Sequence, residues 1–450
     1  MALVFPVTEY EAAIEELQKA LEKTCQQLPY LKGKVIDKGL EQRKESYIVW
    51  EEGASSPHFQ ERVAPEGLPS YKQLQFDRTP FPPSLWVTPP VSPEGTPGLG
   101  ATYTRIEGGL VVCIVTYHKV VDGIGYSHLL RVLADNARGK PSQGPDPDEI
   151  SHRRARILGG NAEVSEQVRK LDFESLLERH PEYTLRSRRA VGGVVPLGPK
   201  IGPQYGTNKV FAISGQKVDA VKAALLGRLP PQALTVNNIL TALIWTTITY
   251  IRKTRSSNPV VAKTSKMDFP ISARRVVGPS LLDPPFMGNA ICYGITELPF
   301  DDIAFIPTEE TIGRLLPIIN AIANAGAHIN ADHVAELVRI SDLNPDLSDI
   351  MPSWLFDYGP GDMHFISWAQ VDIYDLDFGD RLGNPRYMRS AFLEMDGLVC
   401  QLPRRRVKEG QGEKEVFEVS FVLKAEDLQR LERSEYWQSW LVQDRLNGTA

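Results

Sequence analysis

The segment Tyr117-His118-Lys119-Val120-Val121-Asp122-Gly123 holds the side chains best suited to chemistry. Imidazole titrates near neutrality, with an unperturbed pKa of about 6.5, so His118 suits the work of a general base. Asp122 follows four residues on and could fix the loop or the ring without attacking a substrate itself. An isolated H-x-x-x-D recurs by chance, and a core histidine before an ordinary Asp-Gly turn has the same letters. The surroundings favour chemistry, because strand, histidine, glycine turn and helix come in that order. No nucleophile competes. Ser127 sits in Gly125-Tyr126-Ser127-His128-Leu129, which lacks the second glycine of a nucleophile elbow. There is no P-loop, G-x-G-x-x-G or H-E-x-x-H pattern, and no cysteine adjoins a histidine. A base without an enzyme nucleophile implies direct transfer, in which a bound acceptor attacks the donor. His128 reads as a surface or capping side chain. His328 and His333 are wrongly spaced for two ligands on one helical face, so no metal site is expected.

The elements that position this segment are legible around it. Gly109 to Thr116 is a β-branched apolar run and reads as a buried strand. Tyr126 to Ala137 has helical spacing through Leu129, Leu130 and Leu133. Gly123 and Gly125 let the backbone turn between the two. Upstream, Thr8 and Glu11 form a capping-box pattern for a helix whose Ile14, Leu17, Leu21 and Leu28 share a face, ended by Pro29. Residues 139–215 are rich in Pro, Gly and charge, and Gly192-Gly193, Pro196, Pro199 and Pro203 punctuate their end. The expected division is an N-terminal domain over 1–185, a crossover over 186–215 and a C-terminal domain over 216–450. The second half predicts a strand at 210–214 and helices at 217–228, 236–252 (Thr235 as N-cap), 309–324 and 331–341. It then predicts strands near 364–372, 387–393, 397–402 and 416–423, and a helix from Ala425. Strands and helices alternate in both halves, which predicts mixed α/β layers.

Composition bounds the function classes. The chain has 450 residues, 50 basic and 56 acidic, with a formal net charge of −6. That length suits two domains and needs no disulfide or metal staple. A mildly acidic chain is a poor coat for nucleic acid or an anionic membrane, and neither partner is expected. Cys25, Cys113, Cys292 and Cys400 are scattered, with no C-x-x-C pair. No secretory signal pattern opens the chain, and the longest apolar stretch, Leu110 to Val115, is far shorter than a membrane span. The Asn447-Gly448-Thr449 sequon therefore carries no weight, and a soluble cytoplasmic protein is expected.

Three ordered segments resemble the BAHD acyltransferases, which move acyl groups from acyl-CoA to alcohols or amines. His118 to Gly123 resembles the family's H-x-x-x-D-G motif. Ser272-Ala273-Arg274, Gly278-Pro279 and Gly288-Asn289 resemble its D-x-R…G-N stretch. Ser367-Trp368-Ala369 and Asp377-Phe378-Gly379 resemble its S-W segment and D-F-G-W-G motif, about 250 residues beyond the histidine. Asp380 stands where the family has its tryptophan, and Val276 where it has a second arginine. The closest flavour is the fungal branch that includes trichothecene 3-O-acetyltransferases.

The resemblance implies two similar chloramphenicol-acetyltransferase-like domains with the active site in a tunnel between them. It implies His118 as general base, Asp122 paired with Arg274, and Trp368 beside the tetrahedral oxyanion. Gly123, Arg274, Asp377, Phe378 and Gly379 would be structural. Ser367, Ser272 and Phe286 would line the substrate or CoA site. Acyl-CoA, acetyl-CoA by default, would be a co-substrate, with no permanently bound cofactor and no metal. The acceptor would be a hydroxyl, or an amine, of a fungal secondary metabolite, and the chain a monomer. Arg186 to Arg189 or Arg404 to Arg406 could neutralise CoA phosphates. The alternatives are a condensation-domain-like or CoA-independent catalyst using His118, and a non-catalytic metabolite-binding relative.

Overall fold

A computed structural model describes residues 1–40, 43–75, 77–86, 92, 94–140, 149–161, 163–189, 205–390, 394–409 and 412–442. The N-terminal apolar run forms strand β1 (Ala2–Phe5), buried at all four positions. Helix α1 (Tyr10–Gln27) follows. The capping box does not form: Glu9 is the N-cap, without a side-chain bond. Leu17 and Leu21 are buried on α1, and Leu28 is buried at its C-cap. Strands β2 (Leu99–Ile106) and β3 (Gly109–Thr116) pair antiparallel, and β3 also pairs with β1. Helix α2 (Gly123–Ala137) starts three residues earlier than its spacing predicts, because Asp122 caps it. It lies beside α1, where Asn136 donates to Thr24 and Gln27.

The segment after α2 packs largely on the second half of the chain. Helices α3 (Glu149–Ile157) and α4 (Phe173–Arg179) and strand β4 (Tyr183–Leu185) pack on the second half of the chain. Leu158, Val164 and Val168 cluster with Ala335 and Val338. Arg154 makes two 2.7 Å bonds to Asp342, and β4 pairs with Ile350–Pro352. Most of the described contacts of 149–185 are thus with the second half, whereas Arg153 reaches back to Val120 and Tyr30 of the first. The glycines and prolines at 192–203 lie outside the described residues. The last part of the expected crossover is strand β5 (Thr207–Ser214), a member of the second sheet.

The second half carries helix α5 (Val236–Lys253), capped by Thr235 as its sequence predicts. Strands β6 (Thr264–Ser272) and β7 (Ile291–Pro299) pair antiparallel, and helix α6 (Ala331–Leu343) follows. Strand β8 (Met363–Ser367) lies parallel to β6. Strand β9 (Tyr387–Arg389) leaves for the first sheet and pairs with β1. Strand β10 (Leu398–Gln401) is parallel to β8, and β11 (Gly412–Leu423) pairs with both β10 and β5. Among the described residues the result is a five-stranded and a seven-stranded mixed sheet, each backed by helices. A separate apolar core serves each sheet, and β9 is the strand by which the C-terminal half completes the N-terminal sheet.

Candidate active site

β3 delivers the chain to a tight turn at its end. Tyr117 N–H donates to the Gly98 carbonyl and Val120 N–H to the Tyr117 carbonyl, which fixes the path through His118. The His118 side chain is exposed, and its ring makes no hydrogen bond to a described residue. Its backbone carbonyl accepts from the Asn289 side chain at 2.9 Å. The loop is thus held by its backbone, and the imidazole is left free.

Asp122 is the opposite case, 1% exposed and fully engaged. Its two oxygens accept from Arg274 Nη1 and Nη2 at 2.9 and 3.0 Å. They also accept the backbone N–H of Gly125 at 2.8 Å and of Ala290 at 2.9 Å. Arg274, also buried, donates its other protons to the carbonyls of Phe286 and Gly288. One carboxylate therefore caps α2, neutralises a buried guanidinium and ties the first half to the β6–β7 connection of the second. Carboxylate–guanidinium bonds of this bidentate kind fix orientation as well as charge.

Gly125 is required by a close approach: a Cβ there would lie 2.0 Å from the Met287 carbonyl oxygen. Neither Gly123 nor Gly125 has a positive φ, so contact and not turn geometry selects glycine at 125. A Cβ on Gly123 would meet Trp368 Nε1 at 3.4 Å. The half-buried indole of Trp368 therefore lies against the first turn of α2. Trp368 stands at the end of β8, anchored by its backbone N–H on the Gln401 carbonyl at 2.9 Å. The structure brings together the His118 loop, Gly123, Asp122, Arg274 and Trp368 at the junction of the two halves. Ser367 is exposed beside Trp368 and bonds to Gln401. Ser272 Oγ accepts from Arg274, so it supports the arginine.

Phe286 is fully buried, with the guanidinium carbons of Arg274, Arg153 and Arg156 at 5.7, 5.8 and 5.2 Å from its ring centre. It packs beneath the arginine lock. Arg153 also reaches the Val120 carbonyl at 3.4 Å. The bare sequence held no signal for that contact beyond a cluster of arginines. His128 is half-buried on α2, and burial first, then Arg274 and Arg131, hold its pKa below the usual histidine range.

The Asp377-Phe378-Gly379 segment lies at the other end of α2. Phe378 is buried edge-on to Phe5 at 5.0 Å, and Asp377 accepts the Gly379 N–H at 2.9 Å. Gly379 has φ +93°, which a side chain would strain. Asp380 and Arg381 follow on the surface, where Arg381 pairs with Glu9 at 3.0 Å. A cleft of 740 Å³ opens there between Glu16, Arg138, Lys140 and Arg381. With α2 between them, that cleft and the His118 loop are about 20 Å apart. Four arginines of the two basic runs pair with acidic side chains. Arg188 meets Glu174, Arg189 meets Asp357, Arg404 meets Glu415 and Arg405 meets Glu418. No described helix is long and apolar enough to cross a membrane.

A family model described as "Transferase family" matches residues 7–437. The trichothecene 8-O-acetyltransferase of Fusarium sporotrichioides is 24% identical over 98% of this chain and 94% of its own length. O-acetyltransferase ptmV of Penicillium ochrochloron is 22% identical over 98% and 93%. Among solved structures, TRI101 of F. graminearum complexed with coenzyme A and deoxynivalenol superposes with a TM-score of 0.72 at 20% identity, over 98% of this chain and 94% of that one. Vinorine synthase superposes at 0.60 with 14% identity, over 98% and 89%. The chain belongs to the Transferase family, within the acyl-CoA-dependent O-acetyltransferases of the BAHD group.

Proposed function

We propose that this chain transfers an acyl group, acetyl by default, from acyl-CoA to a hydroxyl of a fungal secondary metabolite, with His118 as the base. The acceptor O–H gives its proton to the imidazole as its oxygen attacks the thioester carbonyl. Collapse of the tetrahedral intermediate breaks the C–S bond, and the CoA sulfur leaves with a proton returned by His118. The observation that carries this reading is a contrast between neighbours: Asp122 is sealed under four hydrogen bonds, while the His118 ring is exposed and unengaged. A positioned base of this kind contributes about 10²–10⁴-fold. In this reading Trp368, whose indole Nε1 lies against the same turn, donates its N–H to the oxyanion. The acetyltransferase names of the relatives and the coenzyme A held by TRI101 support the donor class.

The test is release of CoA thiol from acetyl-CoA in the presence of hydroxylated sesquiterpenoids. His118→Ala should lose about 10²–10⁴-fold in kcat with an unchanged unfolding midpoint, since the ring makes no packing bond. An alanine variant with full turnover would overturn the assignment. Clean conversion of an acceptor without thiol release would overturn the donor.

A further inference from the structure

Between α4 and α6, far from His118 in the chain, four titratable side chains meet inside the second half. His180, Glu182, His333 and Glu336 are 1%, 5%, 5% and 6% exposed. One donor atom from each of His180, Glu182 and His333 lies within 4.8 Å of the other two. His180 Nδ1 stands 3.0 Å from Glu182 Oε1, and His333 Nε2 stands 3.1 Å from that same oxygen. Those separations approach the edge of a tetrahedron around zinc, roughly 3.3 Å for bonds of about 2.0–2.1 Å.

Two details go beyond an ordinary buried hydrogen-bond cluster. His333 Nε2 is buried and aimed at the cluster, yet it forms no hydrogen bond of acceptable geometry. Its backbone is pinned by the Asn330 cap, so the ring is delivered there by the start of α6. Then, His180 presents its second nitrogen, Nε2, to Glu336 at 3.0 Å, and Arg179 holds Glu336 with bonds of 3.0 and 2.6 Å. A carboxylate on the far nitrogen is the partner that orients a metal-binding imidazole.

We propose that His180, Glu182 and His333 form a site for one zinc-class divalent ion. Two imidazoles and one carboxylate suit zinc better than the hard oxygen-seeking cations. A water or the second Glu182 oxygen completes four-coordination. The ion fastens the segment after α4 onto α6. It takes no part in acyl transfer, so the proposal stands apart from the function assigned above.

The test uses the untagged full chain, stripped with a chelator and dialysed. Zinc is titrated against a chromophoric chelator, and cobalt(II) is added to a second sample. One zinc per chain is expected, with the visible absorption of four-coordinate cobalt. At zinc 100-fold above Kd, the folded state should gain about 100-fold in the folding equilibrium. His333→Gln should abolish binding and this gain, whereas His328→Gln should keep both. Equal zinc binding by the chain and by His333→Gln would overturn the site. Should His333→Gln fail to fold, the cobalt spectrum of the unaltered chain decides, and a purely octahedral spectrum overturns it.

Discussion

Removal of the Asp122 carboxylate isolates what the lock contributes. Asp122→Ala strands Arg274 as a buried cation, 3% exposed, with only carbonyls and the Ser272 hydroxyl as partners and no counter-charge. Breaking a buried pair from one side costs about 3–5 kcal/mol. The same change removes the α2 cap, worth about 1 kcal/mol, and leaves the Gly125 and Ala290 N–H groups without their acceptor. The expected loss is about 4–6 kcal/mol, against a total stability of about 5–15 kcal/mol. Urea unfolding followed by tryptophan fluorescence reads it as a lowered midpoint at constant slope. Arg274→Met added to Asp122→Ala removes the stranded cation. The double variant should therefore lose less than the summed single losses, by about 2–3 kcal/mol. Asp122→Ala within about 1 kcal/mol of the parent chain, or strict additivity in the double variant, would refute the buried-charge account.

Four other outcomes are expected. Gly125→Ala should cost about 3 kcal/mol or more, or abolish folding, since its Cβ meets a backbone oxygen at 2.0 Å; a neutral result in urea unfolding would contradict the packing. Trp368→Phe keeps a ring against Gly123 but removes the N–H, so kcat should fall by about 10²–10³-fold if that proton serves the oxyanion, with KM for acetyl-CoA little changed. Thr235→Ala should cost about 1 kcal/mol through the lost bond to Asn238 N–H, read as a lowered unfolding midpoint. Burial pushes the thiols of Cys25 and Cys113 up to about 11 and Cys292 up to about 12, so a chromogenic thiol reagent at pH 8 should label them only after denaturation. The folded chain keeps those protons where the unfolded chain has lost them. Stability should accordingly fall as pH rises above about 9.

The parts legible in the sequence share one property: their signal is local. The run Gly109–Thr116 and the apolar helix Val236–Lys253 with its Thr235 cap announce themselves by periodicity. Strand Thr264–Ser272 does not, because Lys266, Asp268 and Pro270 interrupt it. Its pairing with β7 is settled by tertiary contact. The segment 149–185 is hard to place from sequence for a related reason. Polar, proline-rich composition marks a surface segment, but it does not say on which half the segment lies. The pairing of Asp122 with Arg274 was reached through family resemblance, since nothing in either neighbourhood names a partner 152 positions away. In the sequence, the histidine nearest His333 is His328. Its partners in space come from 180 and 182, a distance no helical spacing reports.

Strand β9 has a consequence for how the protein is made. Ala2–Val4 hydrogen-bond to Tyr387–Arg389 along an edge of the first sheet. When β3 has left the ribosome, that edge is still bare, and it stays so until about 270 more residues are added. At a synthesis rate of about 5–20 residues per second, the wait is roughly 14–54 s. During it, an almost wholly apolar strand, Ala-Leu-Val-Phe, presents open backbone groups to any passing chain. Nascent chains halted before residue 387 should therefore recruit chaperones or aggregate more than full-length chains, and a polar residue at Leu3 should reduce the part that runs through this edge.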